Sequence, residues 1–311
     1  MTAPTPAVTA EPRTDAPGPG AYMESELTSQ PDTWAHAAAI AAEQRLLPAH
    51  GERVAVIGCG TSWFMGQSYA WLREAGGFGE THAFAASEAL LHRGYDSVVL
   101  LSRSGTTSEV LEVSQRIPAG TRTIAVVGDA ASPLIDLVDD VVALPFADEQ
   151  SVVQTRFATT ALALFRASLG ESMTRAIEHA GVTIQVDIDP ELVEADQFTF
   201  LGQGWTVGLA HEAALKMREA AQSWTESYPA MEYRHGPISI AAPGRVTWHF
   251  GPPPAGLAGE VAAAGARFEC DDFDPMAQLV LAQRVALQRS RARGLDPDSP
   301  RNLTRSVILD A

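Results

Sequence analysis

Along the chain, short apolar runs alternate with longer segments whose apolar residues recur at helical spacing. "RVAVIG" (53–58), "DSVVLL" (96–101) and "TRTIAVVG" (121–128) are apolar almost throughout, as strands covered on both faces of a sheet are. Between them, "TSWFMGQSYAWLREAG" (61–76) and "TTSEVLEVSQRI" (106–117) carry the period of helices, the first closed by Gly76. "HAFAASEAL" (82–90) predicts a short strand and the start of a helix. "SPLIDLVD" (132–139) predicts a helix capped by Ser132 with Pro133 at its first position. "DVVALPF" (140–146) predicts a strand, and "SVVQTRFATTALALFRASL" (151–169) one long helix. Ahead of these, a helix of roughly 15 to 20 residues is expected to open near Pro31. The alternation implies a parallel sheet with helices on both faces, a doubly wound α/β unit over roughly residues 45–170.

The pattern then starts again. "FTFLGQGWTVGLAHEAALKMREA" (198–220) repeats the form of "VAVIGCGTSWFMGQSYAWLREA" (54–75): apolar strand, Gly-x-Gly, long helix. Strands are expected at "GRVTWHFG" (244–251) and "ARFECDD" (266–272), and a last helix at "AQLVLAQRVALQRSRARG" (277–294). Two α/β units follow, over 22–190 and, in shortened form, over 191–311. Residues 1–21, rich in Pro, Ala, Thr and Gly, contain acids and no apolar segment, so they read as a disordered tail and not as a signal peptide.

Composition narrows the chemistry. No apolar run approaches the roughly 20 residues that span a bilayer. Two cysteines, Cys59 and Cys270, make no disulfide framework, which fits a reducing cytoplasm. A formal charge of −16 repels polyanions and argues against nucleic acid as a partner. Any phosphate site must then be built locally from backbone amides, hydroxyls and a chosen cation. Of 22 Lys and Arg residues, Lys216 alone is a lysine.

Two strand-to-helix turns are equipped to hold an anion: "GCGTS", with Gly60, Thr61 and Ser62, and "SRSGTT", with Ser102, Arg103, Ser104, Gly105 and Thr107. Helix N-termini there point bare N–H groups outward, glycine lets backbone approach closely, and hydroxyls donate without adding charge. Arg103 offers a bidentate grip. Ser and Thr also serve simply as helix caps. A dinucleotide fingerprint fails, since Gly58-x-Gly60 is followed next by Gly66 and no acid ends the following strand. A small phosphate ester fits the two turns together.

Glu212, Lys216 and Glu219 stand at i, i+4 and i+7, on one helix stripe. As a surface stripe they are worth only a few tenths of a kcal/mol; beside a ligand they are acid, base and cation. His235, in "EYRHGP", lies on a loop, where function concentrates. "HEAAL" lacks the second histidine of a zinc helix, and no Cys/His cluster occurs, so neither metal nor cofactor is expected.

"CGTS" followed by "SRSGTT" resembles the SIS-domain family of sugar-phosphate isomerases and binding proteins. "HEAALKMREAAQSWTESYPAMEYRHGP", "DSPRNLTRSV" and "ESELTSQP" look like the isomerase half of glucosamine-6-phosphate synthase, in order, over roughly residues 24–311. The resemblance implies two flavodoxin-like three-layer αβα subdomains. It implies phosphate ligands at Thr61, Ser62, Ser102, Ser104 and Thr107, and sugar contact from the backbone near Val152. It implies that Glu219 shuttles a proton between C1 and C2 with Lys216 beside it and Glu212 orienting. It also implies that His235 opens the sugar ring from a neighbouring subunit of a homodimer.

Several positions depart from that pattern. Arg103 replaces a neutral residue and resembles amino-sugar catabolic members of the family. Gln154 stands where the family has a serine. Arg305 aligns with the lysine that forms an imine with the ketose, and arginine cannot form one. With no glutamine-hydrolysing half recognisable, an amidotransferase is not expected. What remains is proton removal at C2 of an amino-sugar 6-phosphate. A deaminating isomerase acting on glucosamine 6-phosphate ranks first. Dehydration of N-acetylglucosamine 6-phosphate with loss of the C3 hydroxyl comes next, then deglycation of a fructosyl-amine phosphate or plain isomerisation. A non-catalytic sugar-phosphate sensor stays in view, although it has no use for Glu219, Lys216 and His235 together.

Overall fold

The computed structural model describes residues 18–309. Helices α1 (Ala21–Thr28) and α2 (Gln30–Glu43) open the chain, so the one helix expected near Pro31 is two, broken at Ser29. Ala21 already belongs to α1; the rest of the expected tail lies mostly in residues 1–17, outside the described residues. Then come β1 (Val54–Gly58), α3 (Thr61–Ala75), β2 (Thr81–Ala85), β3 (Ser97–Ser102), α4 (Ser108–Gln115), β4 (Arg122–Val127), β5 (Asp140–Ala143) and α5 (Arg156–Ser168). All five strands are parallel, in the order β2-β1-β3-β4-β5. β1 and β3 are buried at every residue, while β2 and β5 are only partly covered. That is why the central strands read as unbroken apolar runs and the edges do not.

Two expected helices are corrected. Residues 133–137 form a 3-10 turn, with only seven residues from Pro133 to the start of β5 at Asp140. Residues 86–88, expected to start a helix after β2, also form a single 3-10 turn. The long helix predicted from Ser151 starts at Arg156 instead. The buried Glu149 carboxylate accepts from the Thr155 (2.6 Å), Arg156 (2.7 Å) and Phe157 (3.1 Å) amides, capping α5 and leaving 151–154 as loop.

The second unit repeats the plan. α6 (Thr174–Thr183) and α7 (Pro190–Glu194) lead into β6 (Gln197–Gly202), α8 (Thr206–Ala221), β7 (Thr225–Pro229), β8 (Arg245–Phe250), α9 (Leu257–Ala263), β9 (Arg267–Glu269) and α10 (Pro275–Ala292). Its four parallel strands run β7-β6-β8-β9. The pattern of apolar positions does not reveal β7, a partly exposed edge strand, nor the short helices α7 and α9.

One apolar core joins the two units, taking in Val56 and Val99 of the first sheet, Phe200 and Trp248 of the second, and Val280 of α10. α3 crosses α8 closely: a Cβ on Gly208 would lie 2.3 Å from Ser68 Oγ and 2.4 Å from the Phe64 carbonyl. A Cβ on Gly204 would strike Trp71 at 2.7 Å. The second Gly-x-Gly thus serves packing between the units. After α10, residues 295–309 run back across the molecule as a strap. Its Asp298 carboxylate accepts from the Tyr22 and Met23 amides of α1, at 2.9 and 2.8 Å. No helix among the described residues is long and apolar enough to cross a membrane.

Candidate active site

In an open parallel sheet, ligands sit outside the carboxyl ends of strands where the strand order reverses. With the order β2-β1-β3, the reversal falls between β1 and β3. Both turns singled out by their hydroxyls leave those two strands. Thr61 and Ser62 open α3, Ser102 ends β3 and Arg103 and Ser104 follow it; all five are buried. Gly105 holds φ +58°, and a Cβ there would lie 2.0 Å from Ser132 Oγ, so only glycine fits. Ser102 Oγ accepts from the Gly105 amide (3.1 Å) and Ser104 Oγ from the Thr106 amide (3.2 Å), which fixes the turn. Ser62, Ser102, Ser104 and Thr107 line one small cavity with Gln154 and Arg305, of about 30 Å³. Gln154 Oε1 is shut off from solvent and meets no donor.

The helix stripe is no solvated surface. Lys216 is 1% exposed and Glu212 fully buried. The Lys216 ammonium lies 2.5 Å from Glu219 Oε2 and 3.5 Å from Glu212 Oε1. Burial pushes Glu212 well above the ordinary carboxylate range, and Lys216 and the Thr61 hydroxyl only partly offset it. Burial also works against charge on Lys216, but the two carboxylates overcome it and hold its pKa above the ordinary lysine value. Glu219 is the half-open member, lining a cavity of about 340 Å³ with Leu215, Arg218, Arg301 and Leu303. The stripe abuts the first turn, where Leu215 lies 3.8 Å from the place of a Gly60 Cβ.

Other expected site residues are placed differently. Arg103 points its guanidinium at backbone, donating to the Ser151 carbonyl (2.9 Å) and the Arg305 carbonyl (2.6 Å). Arg305 clasps Asp148 with two bonds of 2.6 and 2.7 Å and donates to the Glu149 carbonyl. The Val152 amide donates to the Asp298 carbonyl of the strap (3.4 Å). His235 is exposed on a turn after β7, and among the described residues its imidazole makes no hydrogen bond or ion pair. Sequence reasoning missed Glu26, Asp148, Glu149 and Ser306. Glu26, Asp148 and Ser306 meet partners 124, 157 and 202 residues away, where no local spacing signals them, while Glu149 caps α5 from only six to eight residues ahead. Among the described residues no group of three His, Cys, Asp or Glu side chains is placed to hold a metal ion.

Two doubly wound parallel sheets with hydroxyl-lined turns at the reversal of the first define an α/β protein of the phosphosugar-isomerase fold. No family model matches the chain. It is 30% identical over 298 residues to glutamine–fructose-6-phosphate aminotransferase (isomerizing) of Sulfurisphaera tokodaii, covering 84% of this chain and 51% of the relative. It is 29% identical over 355 residues to the enzyme so named from Aeropyrum pernix, covering 93% and 57%. The chain thus spans about half the length of the curated relatives it matches. Among solved structures, glucosamine-6-phosphate deaminase of Thermotoga maritima superposes with a TM-score of 0.77 at 26% identity, over 92% of this chain and 99% of that one. The C-terminal domain of glucosamine-fructose-6-phosphate aminotransferase from Francisella tularensis shares the fold (TM-score 0.75, 19% identity, 89% and 98% covered). Over most of its length the chain is thus similar to the curated aminotransferases, and its structure neighbours lie in the SIS family of sugar-phosphate isomerases.

Proposed function

We propose that the protein is a deaminating isomerase of an amino-sugar 6-phosphate, with glucosamine 6-phosphate as substrate. The hydroxyls and amides of the β1–α3 and β3–α4 turns take the phosphate. Glu219 removes the proton at C2 of the open-chain aldehyde, exchanges it with solvent and delivers a proton to C1. The product is a 2-imine, which water hydrolyses to the ketose and ammonia. Lys216 steadies the negative charge that develops on O1. His235 donates at the ring oxygen, reaching in from a second copy of the chain.

The observation that carries the reading is the buried Glu212–Lys216 pair with the half-open Glu219 beside it, set against the first turn. A lysine held protonated by two acids is a poor imine former and a good electrostatic partner for an enediolate. Arg305 supports the same reading, since a guanidinium, here bonded to Asp148, offers no amine where an imine-forming lysine is expected. Likeness to the Thermotoga maritima deaminase over nearly all of both chains adds support.

Proton NMR in D2O on glucosamine 6-phosphate tests the proposal. Expected are deuterium at C1 of the ketose and free ammonia in equal measure to it. Glu219→Gln should slow exchange by roughly 10²- to 10⁴-fold, the worth of a positioned base, while inorganic phosphate still binds. A vinylic signal from N-acetylglucosamine 6-phosphate with no ammonia from the free amine overturns the proposal in favour of a dehydratase.

A further inference from the structure

The β3–α4 turn is not vacant, because the chain's own C-terminal strap sits on it. Ser306 Oγ lies 3.3 Å from Ser104 Oγ, 3.0 Å from Thr106 Oγ1 and 3.3 Å from Thr107 Oγ1. The Ser108 amide, in the first turn of α4, donates to the Val307 carbonyl at 3.1 Å. Ser108 Oγ in turn accepts from the Leu309 amide at 2.9 Å. The Ser108 amide and the Ser104, Thr106 and Thr107 hydroxyls are donors of the kind that a helix N-terminus and its hydroxyl turn offer to an anion. Two further contacts fix the strap at this height: Arg103 grips the Arg305 carbonyl, and Arg305 grips Asp148. The space left between the turns, about 30 Å³, holds one or two waters and no phosphate group.

We propose that the strap is an intramolecular competitor of the substrate, with the Ser306 hydroxyl seated where a phosphate oxygen binds and displaced when a phosphate arrives. The proposal rests on the phosphate reading of the turn. A phosphate outcompetes the serine because its bonds to the same hydroxyls and amides are charge-assisted and roughly twice as strong as neutral ones. Displacement then reaches the proton-transfer group. Arg301 and Leu303, a few residues earlier on the same strap, line the Glu219 cavity, and Arg301 is tied to Gln222 of the α8 C-terminus at 3.0 Å. Seating the phosphate thus loosens the cover over Glu219, so that the base opens only to a molecule that carries a phosphate.

Two measurements on the full chain test this, with inorganic phosphate as the probe. By titration calorimetry, Ser306→Ala should bind phosphate roughly tenfold more tightly than wild type, the effect of removing about one net hydrogen bond's worth of competition. In wild type, phosphate should speed tryptic cleavage after Arg305, read as release of the 306–311 peptide, because that guanidinium must leave Asp148 to enter the protease. Equal or weaker phosphate binding by Ser306→Ala overturns the proposal, as does slower cleavage in phosphate, which would make the strap a cover over bound ligand. If neither protein binds phosphate, the reading of the turn itself is lost and the proposal with it.

Discussion

Glu26 of α1 is 4% exposed and holds the loop that carries Val152 and Gln154. Its Oε1 accepts from the Gln150 amide at 2.5 Å and the Ser151 amide at 3.3 Å, while Oε2 meets no donor. Burial first, and then the nearby Glu149 carboxylate, push its pKa from 4.5 to about 7. At 1.36 kcal/mol per unit, the difference corresponds to about 3 kcal/mol of folding stability. The folded pKa is raised, so this stability is fully present below about pH 4.5 and is lost as pH climbs through about 7. Glu26→Gln keeps a carbonyl oxygen for both amides and removes the charge. The variant should lie within about 1 kcal/mol of wild type at pH 5 and be more stable by about 2–3 kcal/mol at pH 8. Urea denaturation at pH 5, 6, 7 and 8, compared through midpoints at a shared m-value, reads this directly. A difference that does not grow with pH, or a glutamine variant that is the weaker at pH 8, refutes the reasoning. Either result would mean that the two amide bonds keep the carboxylate ionised.

Gly105→Ala places a methyl group 2.0 Å from Ser132 Oγ at a φ of +58°. It should cost about 2 kcal/mol or more and abolish phosphate binding; denaturation and calorimetry check both, and Ser132→Gly in the same chain should return part of each. If His235 serves the site of a second copy, mixing inactive Glu219→Gln and His235→Asn proteins through unfolding and refolding should restore turnover, and a mixture that stays inactive would exclude the shared site.

Much of the molecule was legible from local pattern. Strands β1, β3 and β4 are short runs buried on both sides, so most residues are apolar and the run announces itself, while β6 and β8 are recognised by their aromatic and aliphatic residues between polar ones. The hydroxyl turn was readable as a turn for a similar reason: its positive-φ glycine and the small hydroxyls that bond its amides are contiguous in Ser102–Thr107. Lys216 stood out as the single lysine, and its spacing from Glu212 and Glu219 placed all three on one stripe of α8.

Contacts between distant segments are another matter. Whether the α8 stripe faces water or the interior depends on α3 and the first turn, about 150 residues earlier in the chain. Burial then raises the proton affinity of Glu212 and, through the two carboxylates, that of Lys216. Arg103 looked like a phosphate ligand from its neighbours, yet the carbonyls of Ser151 and Arg305 claim it, and both reach it only through the fold. The segment 151–154 looked helical from its apolar residues until the Glu149 cap set the helix start at Arg156. The contacts of the strap are not legible locally, because its partners, Asp148 and the β3–α4 turn, lie more than 150 residues away. Periodicity and turn chemistry are written into consecutive residues and survive without the fold, whereas burial, pairing and competition for a donor exist only once remote segments share one place.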